Sequence, residues 1–260
     1  MNPPFHLSAQ KTKNSLIRYQ ESKQNLSVPE GTVHIDLWAY ARSSIVSVWL
    51  PDSLRTMGMC AFRDCKELKT VSLSVNTYCN YKLEYQAGDG IFSGCTALEE
   101  VELRGSIKNF TWFDAQAPEL LRGFHPERTF YNCNKLKRMI AHEVPLSAFP
   151  SQWKRYAVNG YLADEERKKH YLPEVAAEYD AYLTSIRTQL INRTELDHSY
   201  ALHHYLIEQE MIEEEEIDLL LSRARNADAA DVAASLLTYQ KEHFQKNDFL
   251  SLLEDELNLL

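Results

Sequence analysis

One set of apolar offsets returns through the first half of this chain, and it constrains the fold more than any other feature. Between Ala61 and Leu73 the apolar residues are Phe62, Cys65, Leu68, Val71 and Leu73. The same offsets give Phe92, Cys95, Leu98, Val101 and Leu103, then Phe130, Cys133, Leu136, Met139 and Ala141. A worn copy precedes them with Tyr40, Ile45, Val48 and Leu50, one residue short between Tyr40 and Ile45. Recurrence at this scale marks a repeat architecture. Each copy is too short to fold alone and buries its apolar face only against its neighbours.

Each copy carries two half-patterns. Ile45-x-x-Val48-x-Leu50 ends in a two-residue period, which suits a strand with one face buried. Pro51 follows at once and ends that strand, because proline has no N–H for a ladder. Leu54, Met57 and Phe62 then lie on the far side of the coil. Stacked copies put the short strands into one parallel sheet. Copy spacing is uneven: Tyr40 to Phe62 is 22 residues, Phe62 to Phe92 is 30, and Phe92 to Phe130 is 38. The extra residues, NTYCNYKLEYQAGDG and NFTWFDAQAPELLRGFHPE, hold Tyr78, Tyr81, Tyr85, Phe110, Trp112, Phe113 and Phe124. Two readings stay open for these aromatics: a binding rim, or a cover folded back on the coil.

The stretch LPDSLRTMGMCAFRDCKELKTVSL resembles the repeat of the BspA-like leucine-rich repeat proteins, L-P…I-G-x-x-A-F-x-x-C-x-x-L-x-x-V-x-L. Leu50, Pro51, Gly58, Ala61, Phe62, Cys65, Leu68, Val71 and Leu73 fall on that pattern, with Met57 in the Ile place. IFSGCTALEEVEL and TFYNCNKLKRMIA match its second part, so the resemblance runs over about residues 28–142. It implies a right-handed solenoid with a parallel sheet on one face, and a role in adhesion or protein binding. It brings no catalytic residues. Many members of the family are exported, which makes a surface adhesin-type protein an alternative reading.

After His142 the pattern changes. Residues 146–172 read as a junction and C-terminal cap, with Trp153, Tyr156 and Tyr161 sealing the end of the solenoid. From Pro173 the chain reads as helical. A first-turn proline is followed by Val175, Tyr179, Tyr182, Leu183, Ile186 and Leu190 at three- and four-residue steps. A second helix is expected from Asp197 as N-cap, a third over Glu213–Arg225, a fourth after the turn at Asn226-Ala227-Asp228, and a fifth from Asp248. The tandem helices resemble ankyrin-type hairpins, without the T-P-L-H signature. The expected fold class is α+β: a lead-in over 1–27, a leucine-rich repeat solenoid over 28–145, the junction, and an all-α C-terminal domain over 173–260.

The formal net charge of −9 disfavours phosphate backbones and anionic lipid, so neither nucleic acid nor a membrane is expected as partner. No apolar stretch reaches membrane-span length. The N-terminus has no apolar h-region, and the 5 Cys are too sparse for a disulfide scaffold. The expected setting is a reducing cytoplasm. Cys65, Cys95 and Cys133 repeat with the core and read as buried structural thiols. His198, His203 and His204 lack the four-residue spacing of a metal pair, so no metal and no cofactor is expected. Glu213–Glu216 reads as a helix first turn, where carboxylates favour the dipole. No Gly-rich phosphate loop, nucleophile elbow or paired-carboxylate motif is present.

That leaves the outward residues of the sheet as the candidate site: Ser47, Trp49, Thr70, Ser72, Glu100, Glu102, Arg104, Arg138, Ile140 and His142. Trp49 is the expected anchor, since Trp is enriched at binding hot spots. The other reading of this face is a solvated sheet with Trp49 covered by the N-terminal segment. A non-enzymatic scaffold for a protein partner is the expected function. An enzyme with its site in the helical half or junction, and docking of the tail from Asp248 on another chain, are the alternatives.

Overall fold

A computed structural model describes residues 15–16, 24–54, 56–74, 78–79, 90–105, 129–192 and 200–244. The insertion aromatics Tyr81, Tyr85, Phe110, Trp112, Phe113 and Phe124, the Asp197 cap, His198 and the helix from Asp248 lie outside those residues. So does most of the 1–27 lead-in. The chain divides into two compact units, Met1–Tyr161 with Glu166–Tyr179, and Leu162–Glu165 with Asp180–Leu260.

The first unit is the repeat unit. Its main sheet is wholly parallel, in the order β2 (Asn25–Ser27), β4 (Ser47–Trp49), β6 (Thr70–Ser74), β8 (Glu100–Arg104), β9 (Arg138–Ile140). The register matches the offsets read from the sequence: Val48 pairs with Val71, Val71 with Val101 and Val101 with Met139. A second parallel sheet of two-residue strands runs along the far side of the coils, in the order β1 (Ser15–Leu16), β3 (His34–Ile35), β5 (Thr56–Met57), β7 (Tyr78–Cys79). Sequence periodicity gave only a loop there. A two-residue strand has no period of its own, and its pairing comes entirely from stacking. The repeat register also begins before Val28, because β2 pairs with β4 and β1 with β3.

Where the strands stop, the coils still bond. The N–H groups of Tyr40 and Arg42 donate to the carbonyls of Ala61 and Arg63, those of Phe62 and Asp64 to Ile91 and Ser93, and those of Phe92 and Gly94 to Thr129 and Tyr131. The third side of the coil is thus a ladder of alternate residues, which satisfies backbone groups that would otherwise be buried unpaired. It requires a left-handed residue two places after each aromatic: Arg42, Asp64, Gly94 and Asn132 have φ of 60°, 58°, 77° and 59°. Asp, Gly and Asn tolerate that conformation, so F-x-[D/G/N]-C was a readable signal that the apolar offsets passed over.

Inside, the motif residues form columns. Tyr40, Phe62, Phe92 and Phe130 stack with centroid spacings of 5.0, 5.2 and 5.7 Å. The cysteine column is structural as expected. Cys65, Cys95 and Cys133 are free and buried, and each thiol donates to the carbonyl of the preceding coil's aromatic residue, Tyr40, Phe62 and Phe92, at 3.2 Å. Ser43 fills the cysteine place in the shortened copy and meets Cys65 Sγ at 3.3 Å. Burial pushes the Cys133 thiol up to about 12, which makes it a poor thiolate source.

The column ends on α1 (Ser151–Ala163), a helix within the stretch expected as a junction. Trp153 lies 5.9 Å from Phe130 and 5.0 Å from Tyr156. Asn159 Nδ2 donates to Lys137 O. Gly160 sits so close to β9 that a Cβ there would lie 2.0 Å from Met139 O. Beyond it follow α2 (Arg167–His170) and the start of α3 (Pro173–Ser185). Tyr161, Tyr171 and Tyr179 pack together there, with centroids 4.8 to 5.6 Å apart.

The second unit is helical. The single helix expected from Pro173 breaks at Ile186 into α3 and α4 (Arg187–Asn192). They are followed by α5 (Tyr200–Glu208), α6 (Glu214–Asn226) and α7 (Ala230–His243). The break frees Arg187 to bridge. Its Nε donates to Met211 O at 2.7 Å, and its Nη2 meets Glu216 at 2.5 Å and Glu213 at 3.3 Å. The acidic run therefore does more than face the helix dipole. Glu216 takes Arg187 and also accepts the Glu213 N–H at 2.9 Å. Ile217, Leu220, Leu221, Ala224, Val232 and Leu236 fill the core. His203 is buried while His204 faces solvent, so these neighbours do not converge.

Candidate binding surface

The outward residues of the main sheet form rows across the strands, because parallel in-register pairing places equivalent positions side by side. One row runs Asn25, Ser47, Thr70, Glu100, Arg138. The next runs Ser27, Trp49, Ser72, Glu102, Ile140. Arg104 pairs with Ser74 at the end of β8. Nine of the ten expected residues thus lie on these rows or at their ends. His142 lies past β9 and turns to the cap, edge-on to Tyr171 at 4.8 Å and 5.5 Å from His170.

Most of the face is held by bonds between neighbouring coils. Ser47 Oγ donates to Asn25 at 2.7 Å, Ser72 Oγ to Glu102 at 2.5 Å, and Arg138 Nε meets Glu100 at 2.5 Å. Arg104 reaches back across β6. Its Cζ lies 4.5 Å over the Trp49 ring, while Nη2 donates to Leu50 O and sits 3.2 Å from Asp52. Trp49 is half-buried. Arg104 lies over its ring, and Ser27 at the end of the lead-in is its register partner on β2. A guanidinium stacked on an indole is an attractive, pre-oriented pair, so the face offers a fixed donor plane and flanking carboxylates rather than a bare aromatic anchor.

The repeats also match a known family. Residues 11–113 match the BspA type leucine rich repeat region, in six copies. Residues 11–113 are thus a BspA-type leucine-rich repeat region. The β9 coil, with Phe130, Cys133, Leu136 and Met139, continues the same columns beyond the matched span. Two solved structures are similar. One is a leucine-rich repeat protein from Bacteroides capillosus, 24% identical, with 49% of this chain and 85% of that one covered and a TM-score of 0.34. The other is a leucine rich cell surface protein from Faecalibacterium prausnitzii, 22% identical, covering 56% of this chain and 39% of that one, with a TM-score of 0.35. No curated protein matches.

The helical unit has its own concavity. An open groove of about 450 Å³ is lined by Ile207, Glu208, Glu210, Ser235, Tyr239 and Glu242 among others, with no Lys or Arg. From residue 173 onward the sequence has 19 Asp and Glu against 6 Lys and Arg, whereas residues 1–172 have 18 against 22. The net charge of −9 is thus carried by the helical half. Among the described residues no helix is long and apolar enough to cross a membrane.

Proposed function

We propose that this protein is a non-enzymatic, protein-binding scaffold that engages its partner through the outer face of the leucine-rich sheet. The observation that carries this reading is the Arg104–Trp49–Asp52 assembly, flanked by Ser72–Glu102 and Glu100–Arg138. These side chains are ordered before any partner arrives, and pre-ordering lowers the entropy cost of association. Arg and Trp are also the residue types that dominate measured hot spots. Ser47, Trp49, Thr70, Ser72, Glu100, Glu102, Arg104, Arg138 and Ile140 form the contact surface, and His142 belongs to the cap.

The test is affinity capture from the native cell with in situ cross-linking and mass spectrometry, followed by binding of the captured partner to purified variants. Trp49→Ala and Glu102→Arg each weaken binding at least tenfold while the repeat unit stays folded. Unchanged affinity in both variants rejects the sheet face as the site.

A further inference from the structure

A second surface lies on the other side of the coil, where the sequence offered only core positions. Two places before Tyr40, Phe62 and Phe92, the backbone is left-handed again: Trp38 and Cys60 have φ of 60°, and Gly90 has 49°. Gly90 adopts this without strain, but a tryptophan there is a steric outlier. The conformation is held from outside. Trp38 N–H donates to Met59 O, and its carbonyl accepts the Ala41 N–H. Directly beneath, Gly58 lets the Leu37 backbone approach so closely that a Cβ would lie 2.3 Å from Leu37 N. The chain thus holds a bulky residue where glycine is favoured, and it leaves that residue 41% exposed. Core packing does not account for it.

Trp38 has company. Leu37 is 47% exposed and Val33, on the same coil, 37%. The Arg63 guanidinium lies 5.7 Å from the Trp38 ring. Arg63 and Arg42 share one carboxylate, Asp64, at the long distances of 3.7 and 3.8 Å, and the Arg42 side chain is 75% exposed. Two guanidinium groups against one carboxylate give this apolar patch a positive edge at Arg42 and Arg63, while the Asp36 carboxylate next to Leu37 is paired with His34 at 3.1 Å. We propose that Leu37, Trp38, Arg42 and Arg63 form a docking surface for an acidic segment of a partner protein, with an apolar side chain of that segment seated on Trp38 and its carboxylates on the two arginines. Strained, exposed residues held by surrounding structure are a recurring mark of functional sites, and charge complementarity fixes the sign of the occupant.

The strain makes the test discriminating. The full chain is panned against a displayed library of random 12-residue peptides, and an enriched peptide is synthesised and titrated by tryptophan fluorescence and calorimetry. Enrichment of Asp and Glu around a large apolar residue is expected. Trp38→Gly should weaken the peptide at least tenfold while leaving the melting temperature unchanged or higher, because glycine relieves the left-handed strain. Arg63→Glu should weaken it by a similar factor, and Glu102→Arg on the opposite sheet should leave it unchanged. Several results overturn the proposal: no enrichment, enrichment of basic peptides, full binding by Trp38→Gly, or a Trp38-dependent dimer in light scattering that makes a second copy the occupant. Loss through Glu102→Arg alone would assign the peptide to the sheet face instead.

Discussion

Replacing Phe92 with alanine tests the ring column at its most enclosed point. Phe92 is fully buried and stacks on Phe62 at 5.2 Å and Phe130 at 5.7 Å. Removing a buried phenylalanine costs about 3–5 kcal/mol through lost transfer energy and the cavity left behind. Here the upper part of that range applies, because neighbours on both sides are fixed by hydrogen-bonded ladders and cannot close the gap. Phe92→Leu keeps most of the volume but loses the ring geometry and should cost about 1 kcal/mol. Urea unfolding followed by circular dichroism and by tryptophan emission reads both variants, and Trp153 at the end of the column reports the local event. With m of about 2 kcal/mol/M, the alanine variant should unfold roughly 2 M earlier. A loss below about 1.5 kcal/mol, or equal losses for Leu and Ala, would refute a column in which each ring is clamped by its neighbours.

Two further outcomes follow from the same stack. Gly58→Ala forces a Cβ into the Leu37 backbone and should cost about 2 kcal/mol or more by spreading the coils; an unchanged melting temperature would contradict the close approach. Burial raises the Tyr40 hydroxyl to about 12, so the folded state holds that proton more tightly than the unfolded chain. Its contribution is whole below pH 10 and is lost as pH rises from 10 to 12. Stability measured across that range should therefore fall less steeply for Tyr40→Phe than for the parent, and identical slopes would count against it.

The core of the repeat unit was legible because a stacked coil needs the same apolar residue at the same place in every copy. Phe62, Cys65, Leu68, Val71 and Leu73 could be assigned without a structure for that reason. What escaped reading has a physical cause in each case. The β3–β5 strands are too short to show a period. The left-handed ladder is written in Asp64, Gly94 and Asn132, which differ chemically although their backbones agree. The break at Ile186 leaves helix-compatible residues on both sides, and only the tertiary bridge from Arg187 to Met211 and Glu216 makes it worthwhile. For the site, alternation revealed which sheet residues face outward. It could not reveal that Arg104 would reach across to lie over Trp49, nor that the more exposed tryptophan, Trp38, sits on the opposite side of the coil.

The hydrogen-bond ladder on the third side has one more implication. With the two sheets it completes the set of bonds that fix a coil to its neighbour: the main strands, the aromatic ladder and the two-residue strands β3, β5 and β7. Chain added after Cys79 or after Gly105 falls outside that set, and the two insertions there differ in length while Val71, Val101 and Met139 keep their pairing. Length at these two points is invisible to the stack. Such a scaffold can lengthen and diversify its connections under selection without renegotiating its fold, and grafted sequences at either point should be tolerated in the same way.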